Sequence, residues 1–153
     1  MRVITTIAYK DGVMAADTLM IKGDTAFGYV LKIIRRPADG ALCGGAGNLA
    51  WVQAFHRWFV ADEEGEPPPM GEYDNALVVR EQGNLVEIFE DGGAFEFEAD
   101  FTAIGSGKDF ALAAMHVGAD AVTAIRTAIH FEPGTGGEVT VLRHDEPDLI
   151  VEA

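Results

Sequence analysis

Residues 5–18 read TTIAYKDGVMAADT. Two apolar-rich segments flank Asp11-Gly12, and an Asp-Gly pair supplies the positive-φ positions that a tight hairpin needs. The stretch is therefore predicted to be a β-hairpin whose first strand opens on two threonines. Thr is a good former of half-buried strands, so the doubled residue can be purely structural. One of these hydroxyls can also be a nucleophile. If Lys10-Asp11-Gly12 forms a three-residue loop, Thr5 faces Asp17; with a two-residue loop, Thr6 does. Either register sets a hydroxyl beside a carboxylate at the strand end.

The 153 residues carry a formal net charge of −14, and 48% are apolar, with two Trp and nine Phe. That length and apolar content suit a single globular domain over residues 1–153. Nucleic acid or an anionic membrane would be repelled by so negative a field, so neither is expected as a partner. Cys43 has no second cysteine to pair with, which fits a reducing compartment. No apolar run approaches the roughly 20 residues of a membrane span. The N-terminal MRVITTIAYKDG breaks too early for a signal peptide. A cytoplasmic location is the expectation. His56, His116, His130 and His144 lack metal-ligand spacing, so neither a metal nor another cofactor is expected.

Further along, YVLKIIRR (29–36) reads as a strand that turns at PADG into ALCGGAG (41–47), whose glycines suggest close backbone approach. Asn48 is placed to cap a helix over 49–61, with Leu49, Val52, Phe55 and Phe59 on one stripe and Trp51 and Trp58 widening it. DEEGEPPPMGEYD (62–74) holds three successive prolines and is predicted to be a solvated loop. A meander follows over 75–100, its last strand alternating Phe95 and Phe97 with Glu96 and Glu98. After FTAIG (101–105) the period becomes helical. Ser106 and Asp109 have capping-box spacing ahead of one helix, and 119–131 forms another. EVTVL (138–142) and LIVEA (149–153) close the chain as strands. Sheets enclosed by helical layers are the architecture this order suggests.

TTIAYKDGVMAADT resembles the opening of proteasome β-type subunits and of HslV, the bacterial proteasome-like peptidase. The resemblance recurs in order through LKIIRR (31–36), LCGGAGN (42–48), FTAIGSGKDFALAA (101–114) and EPGTGG (132–137). It implies an N-terminal-nucleophile (Ntn) hydrolase of the α+β class, a four-layer α-β-β-α sandwich with two mainly antiparallel sheets. The family has two long helices before the middle strands. Here one helix is followed by the acidic proline-rich loop, so one is expected to be shortened or missing.

Carried over residue by residue, the resemblance puts the nucleophile on Thr5, the strand-end carboxylate on Asp17 and the family's lysine on Lys32. The oxyanion-binding backbone N–H falls on Gly44, and the serine of the GSG motif on Ser106. Thr6 follows the nucleophile, and Glu132 and Thr135 match the acid and hydroxyl after the last helix. A Thr hydroxyl is a poor nucleophile until a neighbour accepts its proton. An α-amine, with a pKa of about 7.7–8.0, suits that task at neutral pH better than a lysine near 10.4. A threonine at the chain terminus thus carries its own base. Lys32, held by Asp17, would supply positive charge, Gly44 an oxyanion donor, and Ser106 a positioning group.

Met1–Ile4 precede Thr5, so a free Thr5 amine requires cleavage after Ile4. The resemblance implies a threonine-type peptidase acting on peptides or proteins, assembled as a homo-oligomer such as a ring, with an unfoldase as a candidate partner. The alternatives are an unprocessed, inactive assembly subunit and an Ntn amidase acting on a small amide.

Overall fold

The structure is a computed structural model that describes residues 1–153 except for the side chain of Arg2. The opening strands are β1 (Arg2–Val3), β2 (Thr6–Lys10) and β3 (Val13–Ala16). β2 and β3 form the expected antiparallel hairpin, with Ile7 opposite Ala16 and Lys10 opposite Val13. Its turn is Asp11-Gly12, at φ 52° and 78°. That two-residue turn settles the register left open above: Thr6, not Thr5, lies level with Asp17.

Next come β4 (Leu19–Lys22) and β5 (Thr25–Tyr29), a separate two-stranded sheet that the sequence reading had not marked. The strand expected over 29–36 is also broken. Tyr29 ends β5, residues 30–32 lie outside any strand, and Ile33–Arg35 form β6. The break is where the chain leaves the pleat and Lys32 turns its ammonium inward.

β7 (Leu42–Asn48) runs straight into α1 (Leu49–Val60). The Asn48 side chain caps that helix by accepting from the Ala50 N–H at 2.9 Å. The meander is β8 (Asn75–Val79), β9 (Leu85–Glu90) and β10 (Gly93–Glu98). β11 (Phe101–Gly105) leads to α2 (Lys108–His116) and α3 (Ala121–Phe131), and β12 (Val139–Arg143) and β13 (Leu149–Val151) finish the chain. Ser106 does not cap α2 as expected. Gly107 stands at the cap without a side-chain bond, and the Ser106 hydroxyl turns back toward the Thr5 carbonyl.

The strands form two larger antiparallel sheets, ordered β1-β7-β8-β9-β10, with β6 also on β7, and β11-β2-β3-β12-β13. Alternation along the strands assigns the side chains to two sides. Ile7, Tyr9, Met14 and Ile104 meet Ile33, Leu42, Leu77 and Val79 in a core shared by the two sheets. Ala8, Ala15, Ala103 and Val141 instead receive Ala111, Met115, Ala124 and Ile125 of α2 and α3. On the other sheet, Cys43, Ala76, Val78 and Phe89 take Trp51, Val52, Phe55 and Phe59 of α1.

The proline-rich segment is a loop, yet it is not simply solvated. Trp51 and Trp58 donate their indole N–H groups to the Pro68 and Gly65 carbonyls, at 3.3 and 3.1 Å. Glu63 accepts from Arg36 at 3.1 Å and also pairs with Arg80. Arg36 is only 3% exposed, and it grips Asp39 through two bonds of 3.0 and 2.8 Å. A buried guanidinium needs such partners, which is why part of the acidic run is drawn inward.

His56 on α1 gives the fold a pH signature. Its Nε2 is buried with no hydrogen-bond partner among the described residues. Burial pulls its pKa from 6.5 down to about 4, opposed by the Lys32 backbone. Above pH ~6.5 both folded and unfolded chains hold a neutral imidazole; between there and about 4 the unfolded chain alone binds the proton. Stability should therefore fall as pH drops through that window. Urea midpoints measured from pH 7 to 4 should show the loss, and His56→Leu should flatten it.

Candidate active site

The site grows from the end of the first hairpin. Asp17, just past β3, is fully buried and its carboxylate accepts three bonds. Oδ1 takes the Thr6 N–H at 3.0 Å, and Oδ2 takes Lys32 Nζ at 2.8 Å and the Gly136 N–H at 3.1 Å. Lys32 is 1% exposed and gives a second bond, 2.8 Å, to the Ile4 carbonyl oxygen. Burial pushes the Asp17 carboxyl above its usual range and the Lys32 ammonium below its own, and their mutual attraction opposes both shifts. With three N–H donors on the carboxylate and two acceptors on the ammonium, the charged forms are the ones the geometry serves.

Thr5 is buried, at 1% exposure. Its hydroxyl donates to the Val3 carbonyl at 3.4 Å. Its own carbonyl accepts from the Ser106 N–H at 2.9 Å and from the Ser106 hydroxyl at 3.4 Å. The Thr6 hydroxyl is paired with that of Thr135 at 3.0 Å. Glu132 ends α3 and accepts from the Gly134 N–H at 3.2 Å, shaping the loop that delivers Gly136 to Asp17. Thr5, Thr6, Asp17, Lys32, Ser106 and Thr135 are thus brought together, with Glu132 supporting them from the loop.

Gly44 stands differently. It lies within β7 between Ile33 and Leu77. A Cβ there would come within 2.8 Å of both Ile33 Cγ2 and Ile7 Cδ1. Packing alone therefore demands glycine at this position. Gly44 is not among the residues lining the cavity beside Thr5; Gly47 is.

That cavity has a volume of about 320 Å³ and touches Ile4, Thr5 and Ser106. Its far wall carries Glu72, Asp74, Glu90 and Asp91 against one cation, Lys108. Asp74 is 8% exposed and holds the end of β7 by accepting from the Asn48 N–H at 2.9 Å.

Two participants escaped the sequence reading. The Gly136 N–H acts through the backbone, and only the paired glycines after Thr135 hinted at a tight loop. The Ile4 carbonyl was seen only as part of a segment to be removed. Instead β1 pairs with β7, Val3 opposite Gly47, and Ile4 lies so close over Gly134 that a Cβ there would collide with it. Among the described residues no group of three or more His, Cys, Asp or Glu side chains could hold a metal ion, and no helix is long and apolar enough to cross a membrane.

The packing role of Gly44 is directly testable. Gly44→Ala should cost about 1–3 kcal/mol through overpacking, read as a lower urea midpoint. An unchanged midpoint would contradict the close contact with Ile7 and Ile33.

No family model matches the chain, and no curated protein does. Among solved structures it is similar to Thiobacillus denitrificans BPH, determined in complex with epoxomicin. The two share 20% identity with a TM-score of 0.66, over 99% of this chain and 100% of that one. At that level of identity the likeness is one of fold: the chain shares the fold of that protein over nearly its whole length.

Proposed function

We propose that the protein is a threonine-type Ntn peptidase on a four-layer α-β-β-α sandwich, with Thr5 as nucleophile once the bond to Ile4 is cut. The observation that carries this reading is the buried Asp17–Lys32 pair reaching the Ile4–Thr5 linkage, with Lys32 Nζ 2.8 Å from the Ile4 oxygen. A fully desolvated ion pair is a costly way to stabilise a fold. Its cost is intelligible at a place where charge is needed for chemistry.

In the cut chain the Thr5 α-amine would accept the hydroxyl proton, directly or through a water, as Thr5 attacks a substrate carbonyl. The ammonium of Lys32 would favour the ionised oxygen and hold the amine's pKa down. Ser106, already bonded to Thr5, would orient the amine or the water that later releases the acyl group. The substrate class is peptide or protein. The carboxylates on the cavity wall disfavour an acidic side chain there. By the family resemblance the working form is a homo-oligomeric ring, with or without an unfoldase partner, in the cytoplasm.

A second reading, an uncut assembly subunit, is supported by one observation. The residues before Thr5 are held in place, Val3 by β7 and Met1 by the Leu49 N–H, which donates to its carbonyl at 2.6 Å.

Epoxomicin separates the two. Incubation of the native protein, followed by intact mass and peptide mapping, should yield a chain that begins at Thr5 and carries the adduct on that residue. A full-length, unmodified chain beginning at Met1 would instead favour the assembly subunit.

A further inference from the structure

We propose that the proline-rich loop is the substrate-selecting wall of the cavity beside Thr5, and that it selects peptides with a cationic side chain, lysine or arginine, close to the bond that is cut. The assignment rests on the peptidase reading above and adds to it a substrate class and the segment that sets it.

The loop stands where the family resemblance leads one to expect a second helix, and its last residues end at the site. Glu72 and Asp74 line the cavity that also touches Thr5 and Ser106. Glu90, at the end of β9, and Asp91, in the turn after it, line it as well. Lys108, the one cation on the wall, pairs with Asp109 at 3.7 Å and with none of these four. Asp74 is occupied, since its two oxygens accept the Asn48 and Gly71 N–H groups at 2.9 and 2.6 Å. Glu72, Glu90 and Asp91 enter no ion pair among the described residues, so their charge is left to act on whatever enters. A cleft lined by one sign of charge concentrates its field and draws in the opposite sign.

The wall is built rather than loose. Trp51 and Trp58 hold the loop by the Pro68 and Gly65 carbonyls, and Glu63 ties it to Arg36 and Arg80. Asp74 fastens its end to β7 through the Asn48 N–H. Three successive prolines stiffen the backbone between these anchors. The carboxylates therefore keep a fixed place relative to Thr5, and fixed charge can discriminate between substrates as well as attract them.

A second observation points to the same ligand charge. The segment that lies against this edge in the uncut chain, Met1–Ile4, contains Arg2. By backbone register Arg2 pairs with Asn48, the residue whose N–H is held by Asp74. The chain's own occupant of the edge is thus a segment that carries a cation, two residues before Ile4.

Hydrolysis of matched peptides by the native protein tests the assignment. Each set carries lysine, norleucine or glutamate at one position near the cut bond, on either side of it. At one position or more, kcat/KM for lysine should exceed that for norleucine by about tenfold at low salt, with glutamate poorer still. Added salt should shrink the preference. Glu72 and Glu90 are exposed, so their substitution should leave the fold intact. Glu72→Gln/Glu90→Gln should cut the lysine-to-norleucine ratio by about threefold or more, and Glu72→Lys/Glu90→Lys should turn the preference toward glutamate. Equal rates for lysine and norleucine at every position overturn the assignment alone, as does a lysine preference that the Gln variant leaves untouched. If no peptide is cut, the peptidase reading falls.

A binding measurement decides the wall without turnover. Full-length ¹⁵N-labelled protein is titrated with N-acetyl-lysine methylamide and with its norleucine counterpart. The lysine compound should shift the amides of Gly47, Asn75 and Gly105, which line the cavity, at a lower concentration than the norleucine compound. Equal shifts from both compounds, or shifts scattered over the acidic surface, overturn the assignment.

Discussion

The ion pair between Asp17 and Lys32, 2.8 Å long and closed to solvent, is the constraint around which the rest of the site is arranged. Each charge is too costly to bury alone, so the chain supplies partners from three directions. The first hairpin contributes the Thr6 N–H, the loop after α3 contributes the Gly136 N–H, and the segment before Thr5 contributes the Ile4 carbonyl. The departure of residues 30–32 from the strand pattern lets Lys32 itself reach inward while Ile33 resumes pairing with Gly44. A single electrostatic requirement thus ties together pieces from both sheets.

The position of Thr5 follows from the same arrangement. It sits between a carbonyl held by Lys32 and a carbonyl held by Ser106, at the point where the chain passes from β1 in one sheet to β2 in the other. The preceding carbonyl and its own are therefore anchored, and its hydroxyl occupies a bond to Val3 rather than to a base. On the proposed reading, Thr5 in this form is a latent group. The geometry accounts for how a threonine inside a chain can be prepared for chemistry that calls for one at its end.

Much of this was legible in the residues, for identifiable reasons. Asp11-Gly12 announced the hairpin because few other pairs accept two positive φ values. The meander and the stripe on α1 were visible because burial imposes periods of 2 and 3.6 on apolar residues. The convergence of Thr5, Asp17, Lys32 and Ser106 came from the ordered resemblance of five blocks, since no local spacing relates Lys32 to Ser106. What stayed hidden was carried by the backbone or by distant pairing. The β4–β5 hairpin is mostly exposed and lacks a clean alternation. At Gly44, which the family resemblance marks as a backbone donor, the sequence did not reveal the added packing reason for glycine, the side chains of Ile7 and Ile33. Glu63 looked solvated because nothing in its neighbourhood named Arg36, which lies 27 residues away.

The central claim is that Thr5 is a nucleophile silenced by the residues before it. The most direct measurement compares peptide-amide hydrolysis by a chain produced with Thr5 as its first residue against the same chain with Thr5→Ala as its first residue. The account predicts steady product release from the former and none above background from the latter. Equal, background-level rates from two folded chains would contradict it.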